Sequence, residues 1–136
     1  MMNDEQYLLD LFDKKFRRFK HKNIVLYGKG PMTKLLIEHY PDYNIVGIMD
    51  YRVTEGVMYG KSILSYADLL FRKVDLIIPV ARPETMKQVF NRIYRYCEKY
   101  HIELYGLNGD NLFETCEIPQ EAPAPEDFVK VFRERF

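Results

Sequence analysis

The sequence predicts an α/β domain built on a doubly wound parallel sheet. Three observations carry that expectation. Short apolar runs alternate with helical patterns between residues 23 and 107, as strands do when crossover helices join them. The runs "NIVLYG" and "VDLIIPVA" have near-continuous apolar interiors, so both faces of the sheet must be covered. A turn with two glycines, "YGKGPMT", joins the first run to the first crossover helix.

The elements follow in order. Residues 3–20 read as an added N-terminal helix, with Leu8, Leu11, Phe12, Phe16 and Phe19 on one stripe. Asn3 suits its N-cap, and acids at the start with bases at the end complement the helix dipole. The basic stretch "KKFRRFKHK" is interrupted by phenylalanines at helical spacing and reads as a solvated helix end. The first strand spans 23–28, a helix runs from Pro31 to near Tyr40, and the second strand spans 44–50. A loop with two glycines leads to a short edge strand at Ser62–Leu64 and a helix from Tyr66 to Arg72. The fourth strand covers 74–81. A long helix from Pro83 to near Tyr100 turns Met86, Val89, Phe90, Ile93 and Cys97 inward, and "IELYGL" is the fifth strand.

From Asn108 the character changes. Three prolines between 119 and 125 predict an extended stretch, and Phe128, Phe132 and Phe136 recur at helical spacing after it. The tail reads either as a strap returning to the core or as a linker. The expected organisation is therefore a helix at 1–22, an α/β domain at 23–112 and a Pro-rich tail with a short helix at 113–136.

Composition narrows the function. Twenty acidic and twenty basic residues cancel, which leaves no whole-chain footprint for nucleic acid. Cys97 and Cys116 cannot form a disulfide framework, which fits a reducing cytoplasm. No apolar run reaches the roughly 18 residues that span a bilayer, and the acidic start is unlike a signal peptide. The chain is expected to be soluble and unprocessed.

The glycine turn is the candidate site. At the first strand-to-helix turn of a doubly wound sheet, free N–H groups and the helix dipole favour an anion. Gly28 supplies the tight turn, Gly30 lets a ligand approach the backbone, and Pro31 suits the first helical position. The amides of Met32 and Thr33 are then free to face an oxyanion. Thr33 stands where Gly-x-Gly-x-x-Gly has its third glycine, and its hydroxyl is a candidate phosphate donor. Asp50 falls at the end of strand two, where an acid holds a ribose diol. The alternative is that both glycines serve only a corner and that Asp50 caps a turn.

Catalytic and metal-ligating patterns are sparse. "GVMYGKS" has one residue too few for a Walker A loop and lacks its strand and helix. His21, His39 and His101 have no metal-ligand spacing among themselves or with the cysteines. No tyrosine precedes a lysine by four residues, and Ser62 and Ser65 have no histidine near them in sequence. No catalytic residue and no metal is expected. Tyr96 and Tyr100 read as packing or interface residues.

The segments "NIVLYGKGPMTKLLI", "NIVGIMDYR", "VMYGKSILSYADLL" and "VDLIIPVARPETMKQVF" together resemble the Rossmann-like N-terminal domain of bacterial sugar-modifying proteins. Related modules precede sugar acetyltransferases, sugar-nucleotide dehydratases, and haloacid-dehalogenase-like or glycosyltransferase domains of cell-surface polysaccharide proteins. The resemblance covers about residues 23–112. It implies about five strands in the order 3-2-1-4-5. It places Gly28, Gly30, Met32 and Thr33 at the phosphates of an NAD(P) or nucleotide-sugar ligand, Asp50, Tyr51 and Arg52 at the ribose or base, and Ala81 with Arg82 at the opposite lip. The expected function is a cytoplasmic nucleotide-binding module that serves a partner catalytic domain in surface-carbohydrate metabolism. A small NAD(P)-dependent oxidoreductase and a ligand-free scaffold are the alternatives. Apolar stripes on both terminal helices predict a homodimer through Phe12, Phe16, Phe128 and Phe132.

Overall fold

The structure, a computed structural model, describes residues 4–118. The Asn3 cap and the helix expected around Phe128, Phe132 and Phe136 lie outside these residues. In chain order the elements are α1 (Asp4–Phe16), a 3-10 turn (Arg17–Phe19), β1 (Ile24–Tyr27), α2 (Pro31–His39), β2 (Ile45–Met49), β3 (Val57–Met58), β4 (Lys61–Ser62), α3 (Asp68–Phe71), β5 (Leu76–Pro79), α4 (Pro83–Tyr100), β6 (Glu103–Leu104) and α5 (Leu112–Thr115). Four strands form one parallel sheet in the order β2-β1-β5-β6.

Every residue of β1 and β5 is buried, as their apolar sequences demand. Alternation divides the core. Val25, Tyr27, Met49, Ile77 and Leu104 face Leu69, Leu112 and the inner side of α4, whereas Ile24, Leu26, Ile48, Leu76 and Ile78 face α1 and α2. At the amino ends of the central pair, the Asn23 N–H donates to Asp75 Oδ2 at 2.7 Å and the Asp75 N–H donates to the Asn23 carbonyl at 2.8 Å. α4 buries Val89, Phe90, Ile93, Tyr94 and Cys97. Tyr96 stacks on Tyr66 with centroids 4.6 Å apart.

The expected edge strand at Ser62–Leu64 takes a different form. Lys61 and Ser62 pair antiparallel with Val57 and Met58 in a tight hairpin. Only Ile63 continues the parallel sheet, through a single bridge to Ile48, reinforced by the Leu64 N–H donating to the Ile48 carbonyl at 2.8 Å. This contact extends the sheet beyond β2, and the order expected from sequence is kept with its third strand reduced to one residue. Gly47 makes the approach possible, since a Cβ there would lie 2.8 Å from the Leu64 side chain.

α1 is part of the core. Phe12 and Phe16 are completely buried, and Leu9 is buried beside them. The Phe12 ring lies 5.1 Å from Phe16, 5.5 Å from Tyr40 and 5.1 Å from Tyr43. The Tyr40 hydroxyl donates to the Leu9 carbonyl at 2.6 Å, and the Tyr43 hydroxyl donates to Asp13 at 2.7 Å. Phe12 and Phe16 therefore cannot be the dimer contacts expected from sequence; their stripe is consumed by the sheet face and α2. The basic helix end is likewise engaged: Arg17 pairs with Asp13, Lys20 pairs with Asp42, and the Arg18 guanidinium lies over Phe19. No helix among the described residues is long and apolar enough to cross a membrane.

Candidate functional site

The site begins where β1 runs out. The Val80 N–H donates to the Tyr27 carbonyl at 2.9 Å, and the Gly28 N–H donates to the Met49 carbonyl at 2.7 Å. β1 is thus held on both sides up to its last residue, and the chain must then turn at once. Gly28 does so at φ +127°, where a side chain would be strained and its Cβ would sit 3.2 Å from the Val80 carbonyl oxygen. Gly30 is different. It is the exposed N-cap of α2 at φ −75°, and a Cβ there would meet nothing within 4 Å.

Pro31 has no N–H, and no hydrogen bond among the described residues occupies the amides of Gly30, Met32 or Thr33. Such groups at a helix start, reinforced by the dipole, suit an anion. Thr33 departs from expectation. It is fully buried, and its hydroxyl donates to the Gly28 carbonyl at 2.9 Å. It therefore locks the turn from inside and is not a phosphate donor. This bond also explains why the turn tolerates a side chain where the three-glycine pattern has none.

The turn opens at the carboxyl edge of the sheet, between β1 and β5. From this central pair the neighbours run outward in opposite directions, to β2 on one side and β6 on the other. No family model and no curated protein matches the chain. Among solved structures it is similar to RSP, a Rex-family repressor, with a TM-score of 0.51 and 12% identity over 96% of this chain and 66% of that one. The fold is Rossmann-like. A chorismate mutase/shikimate 5-dehydrogenase fusion protein from Clostridium acetobutylicum aligns at a TM-score of 0.41 and 16% identity, over 94% of this chain and 60% of the other. The chain thus spans less than two thirds of either protein's length.

In this Rossmann-like frame the remaining predicted site residues are spread along the carboxyl edge. Asp50 follows β2 directly, and its Oδ2 accepts the Arg52 N–H at 2.8 Å, so the carboxylate also caps its own turn. Tyr51 is exposed, with the Arg92 guanidinium of α4 4.1 Å from its ring centre. Arg52 is exposed. Arg82 is the N-cap of α4, and its carbonyl accepts the Thr85 hydroxyl at 2.9 Å and the Met86 N–H at 3.0 Å. Met32 is half-buried against the α1–α2 side of the core.

A cavity of about 620 Å³ lies further along the same edge, walled by Leu8 and Leu11 of α1, Met86 and Lys87 of α4, Leu107 and Cys116. Of the nine predicted site residues only Ala81 lines it. The structure therefore gathers Gly28, Gly30, Met32 and Thr33 at one turn and places Ala81, next to the Val80 that abuts Gly28, on the wall of this cavity.

Two features escape sequence reasoning. The near-Walker stretch is the β3–β4 hairpin, with both loop residues at positive φ, Tyr59 at 54° and Gly60 at 76°. From that loop the Tyr59 hydroxyl donates to the Lys29 carbonyl at 2.7 Å, inside the glycine turn. The second is a phenol pair below the turn, with Tyr27 and Tyr66 oxygens 3.5 Å apart. Burial first, and then this hydrogen bond, pushes the Tyr66 phenol well above its ordinary value. The Tyr66 phenol therefore stays protonated at neutral pH. Among the described residues no group of three or more His, Cys, Asp or Glu side chains is placed to hold a metal. The free amides at the start of α2 are the feature of the turn that suits an anion.

Proposed function

We propose that this chain is a nucleotide-binding module, with the diphosphate of a dinucleotide or nucleotide-sugar on the Gly28–Thr33 turn. The observation that carries the reading is the pairing of an open face at Gly30 with unoccupied amides at Gly30, Met32 and Thr33, at the switch point where such folds bind ligands. Asp50 stands across β2 for a ribose hydroxyl, and Tyr51 and Arg52 flank it. The likeness of the motifs to domains of sugar-modifying proteins favours a nucleotide-sugar, used by a partner catalytic domain in surface-carbohydrate metabolism. On this reading the chain holds the ligand and the partner domain acts on it.

The test is direct. Purified protein is denatured, and its supernatant is examined by mass and ultraviolet spectra for a nucleotide. The emptied protein is then titrated calorimetrically with NAD⁺, NADH and UDP-glucose. Binding of a diphosphate compound, abolished by Gly30→Val, supports the reading; silence with all three refutes it. A second reading draws on the bond from Thr33 to the Gly28 carbonyl and on the Asx turn at Asp50. Both make the turn self-sufficient, as a ligand-free scaffold would require.

A further inference from the structure

We propose that Tyr59 is a positioning residue for the anion site, its phenol fixing the direction in which the Gly30 N–H points. This rests on the reading of the turn as a diphosphate site and adds to it an element from the far edge of the sheet.

The first step is conformational. Tyr59 and Gly60 form a two-residue hairpin loop with both φ angles positive, the geometry that ordinarily selects Asn, Asp or Gly at its first position. An aromatic residue there is an outlier, and such outliers persist only where the surroundings hold them. Two contacts do so. The half-buried ring packs against the α1–α2 core, and the hydroxyl reaches the Lys29 carbonyl at 2.7 Å. The hairpin itself is closed by the Ile63 N–H donating to the Gly56 carbonyl at 2.9 Å and anchored to β2 by the Leu64 N–H donating to the Ile48 carbonyl at 2.8 Å. The phenol is therefore a tie between a fixed edge and the turn.

The second step is covalent geometry. In a trans peptide the C=O of one residue and the N–H of the next point in opposite directions. A Lys29 carbonyl held toward the hairpin forces the Gly30 N–H to face away from it. Nothing else fixes that plane by hydrogen bonding: the Gly30 amide has no partner among the described residues, and the Gly30 carbonyl, which accepts from Lys34 at 3.3 Å, belongs to the next peptide. A peptide that ends on a side-chain-free residue rotates easily. The Tyr59 hydroxyl removes that freedom before a ligand arrives, which is how a pre-organised donor gains strength toward a charged oxygen.

The experiment compares wild type with Tyr59→Phe, which keeps the ring and its packing. Uniformly ¹⁵N-labelled protein reports the Gly30 amide without ligand, and calorimetry with NAD⁺ and with UDP-glucose reports affinity. The expected result is a displaced or broadened Gly30 cross-peak together with a dissociation constant raised about tenfold for whichever probe the wild type binds. Equal affinities overturn the positioning role while leaving nucleotide binding intact. Weaker binding with an unmoved Gly30 cross-peak also overturns it, because Tyr59 would then act on the ligand directly. Should the wild type bind neither probe, the nucleotide reading fails, and this role for Tyr59 at a ligand site fails with it.

Discussion

Gly28 and Gly30 stand two positions apart and ask opposite things of a side chain. Gly28→Val would place a β-branched residue at φ +127° with its Cβ against the Val80 carbonyl, a strain of about 1–3 kcal/mol before any clash is counted. Gly30→Val meets open space at an ordinary φ, so the fold should be nearly unaffected. Thermal shift separates the two: a ligand at about 100 times its dissociation constant should add about 2.7 kcal/mol to the wild type. Gly30→Val should lose that increment while melting near the ligand-free wild type, and Gly28→Val should melt well below it. Two variants that melt alike would contradict this division of labour. At Asp50 the carboxylate should favour a ribose diol and repel a 2′-phosphate, so NADH is expected to bind more tightly than NADPH. Equal affinities by calorimetry would remove Asp50 from the site, and a reversal would point to the nearby Arg52 guanidinium.

At the scale of elements, the sequence was most legible where periodicity and burial agree. The long helix from Pro83 to Tyr100 and the strands around residues 24–27, 45–49 and 76–79 were all readable, because each is apolar on the sides that the sheet and helices cover. The β3–β4 hairpin was not, because a Tyr-Gly loop carries no common hairpin signal and its hold on the turn is a contact across 30 positions of sequence. Likewise, Thr33 looked like a phosphate donor because sequence gives its position and not the direction of its hydroxyl. The first helix was legible as amphipathic, but its partner was misread: a stripe of phenylalanines is equally compatible with an interface and a core. Burial settles it, and Phe16→Ala should cost about 3–5 kcal/mol of stability, measured by urea denaturation. A loss below about 1 kcal/mol would return α1 to the surface.

Over the whole molecule, the buried hydroxyls and thiol set a pH limit. Burial is the leading cause raising the phenols of Tyr40, Tyr43, Tyr66 and Tyr105, and it pushes the Cys97 thiol up to about 12. In the unfolded chain these groups release protons nearer their reference values of 10.0 and 9.0. The folded state holds its protons longer, so their contribution to stability is intact below about pH 9 and is lost as pH climbs through the folded values. Denaturation midpoints should therefore fall between pH 9 and pH 11; a midpoint that holds or rises there would contradict the assignment. We also propose a homodimer, now without Phe12 and Phe16. The other expected contacts, Phe128 and Phe132, lie outside the described residues, and light scattering at high micromolar concentration should give the dimer mass. A wild type already monomeric at high micromolar concentration would rule the dimer out. One last consequence concerns synthesis. β1 is hydrogen-bonded on one side by β2 and on the other by β5, and β5 begins about fifty residues downstream. At roughly 5–20 residues per second, a ribosome leaves the second edge of β1 bare for several seconds. The Gly28 corner, leaning on Val80, is completed only after that wait. In the nascent chain this central strand needs shielding until β5 arrives, and the cleft beside the glycine turn takes shape only then.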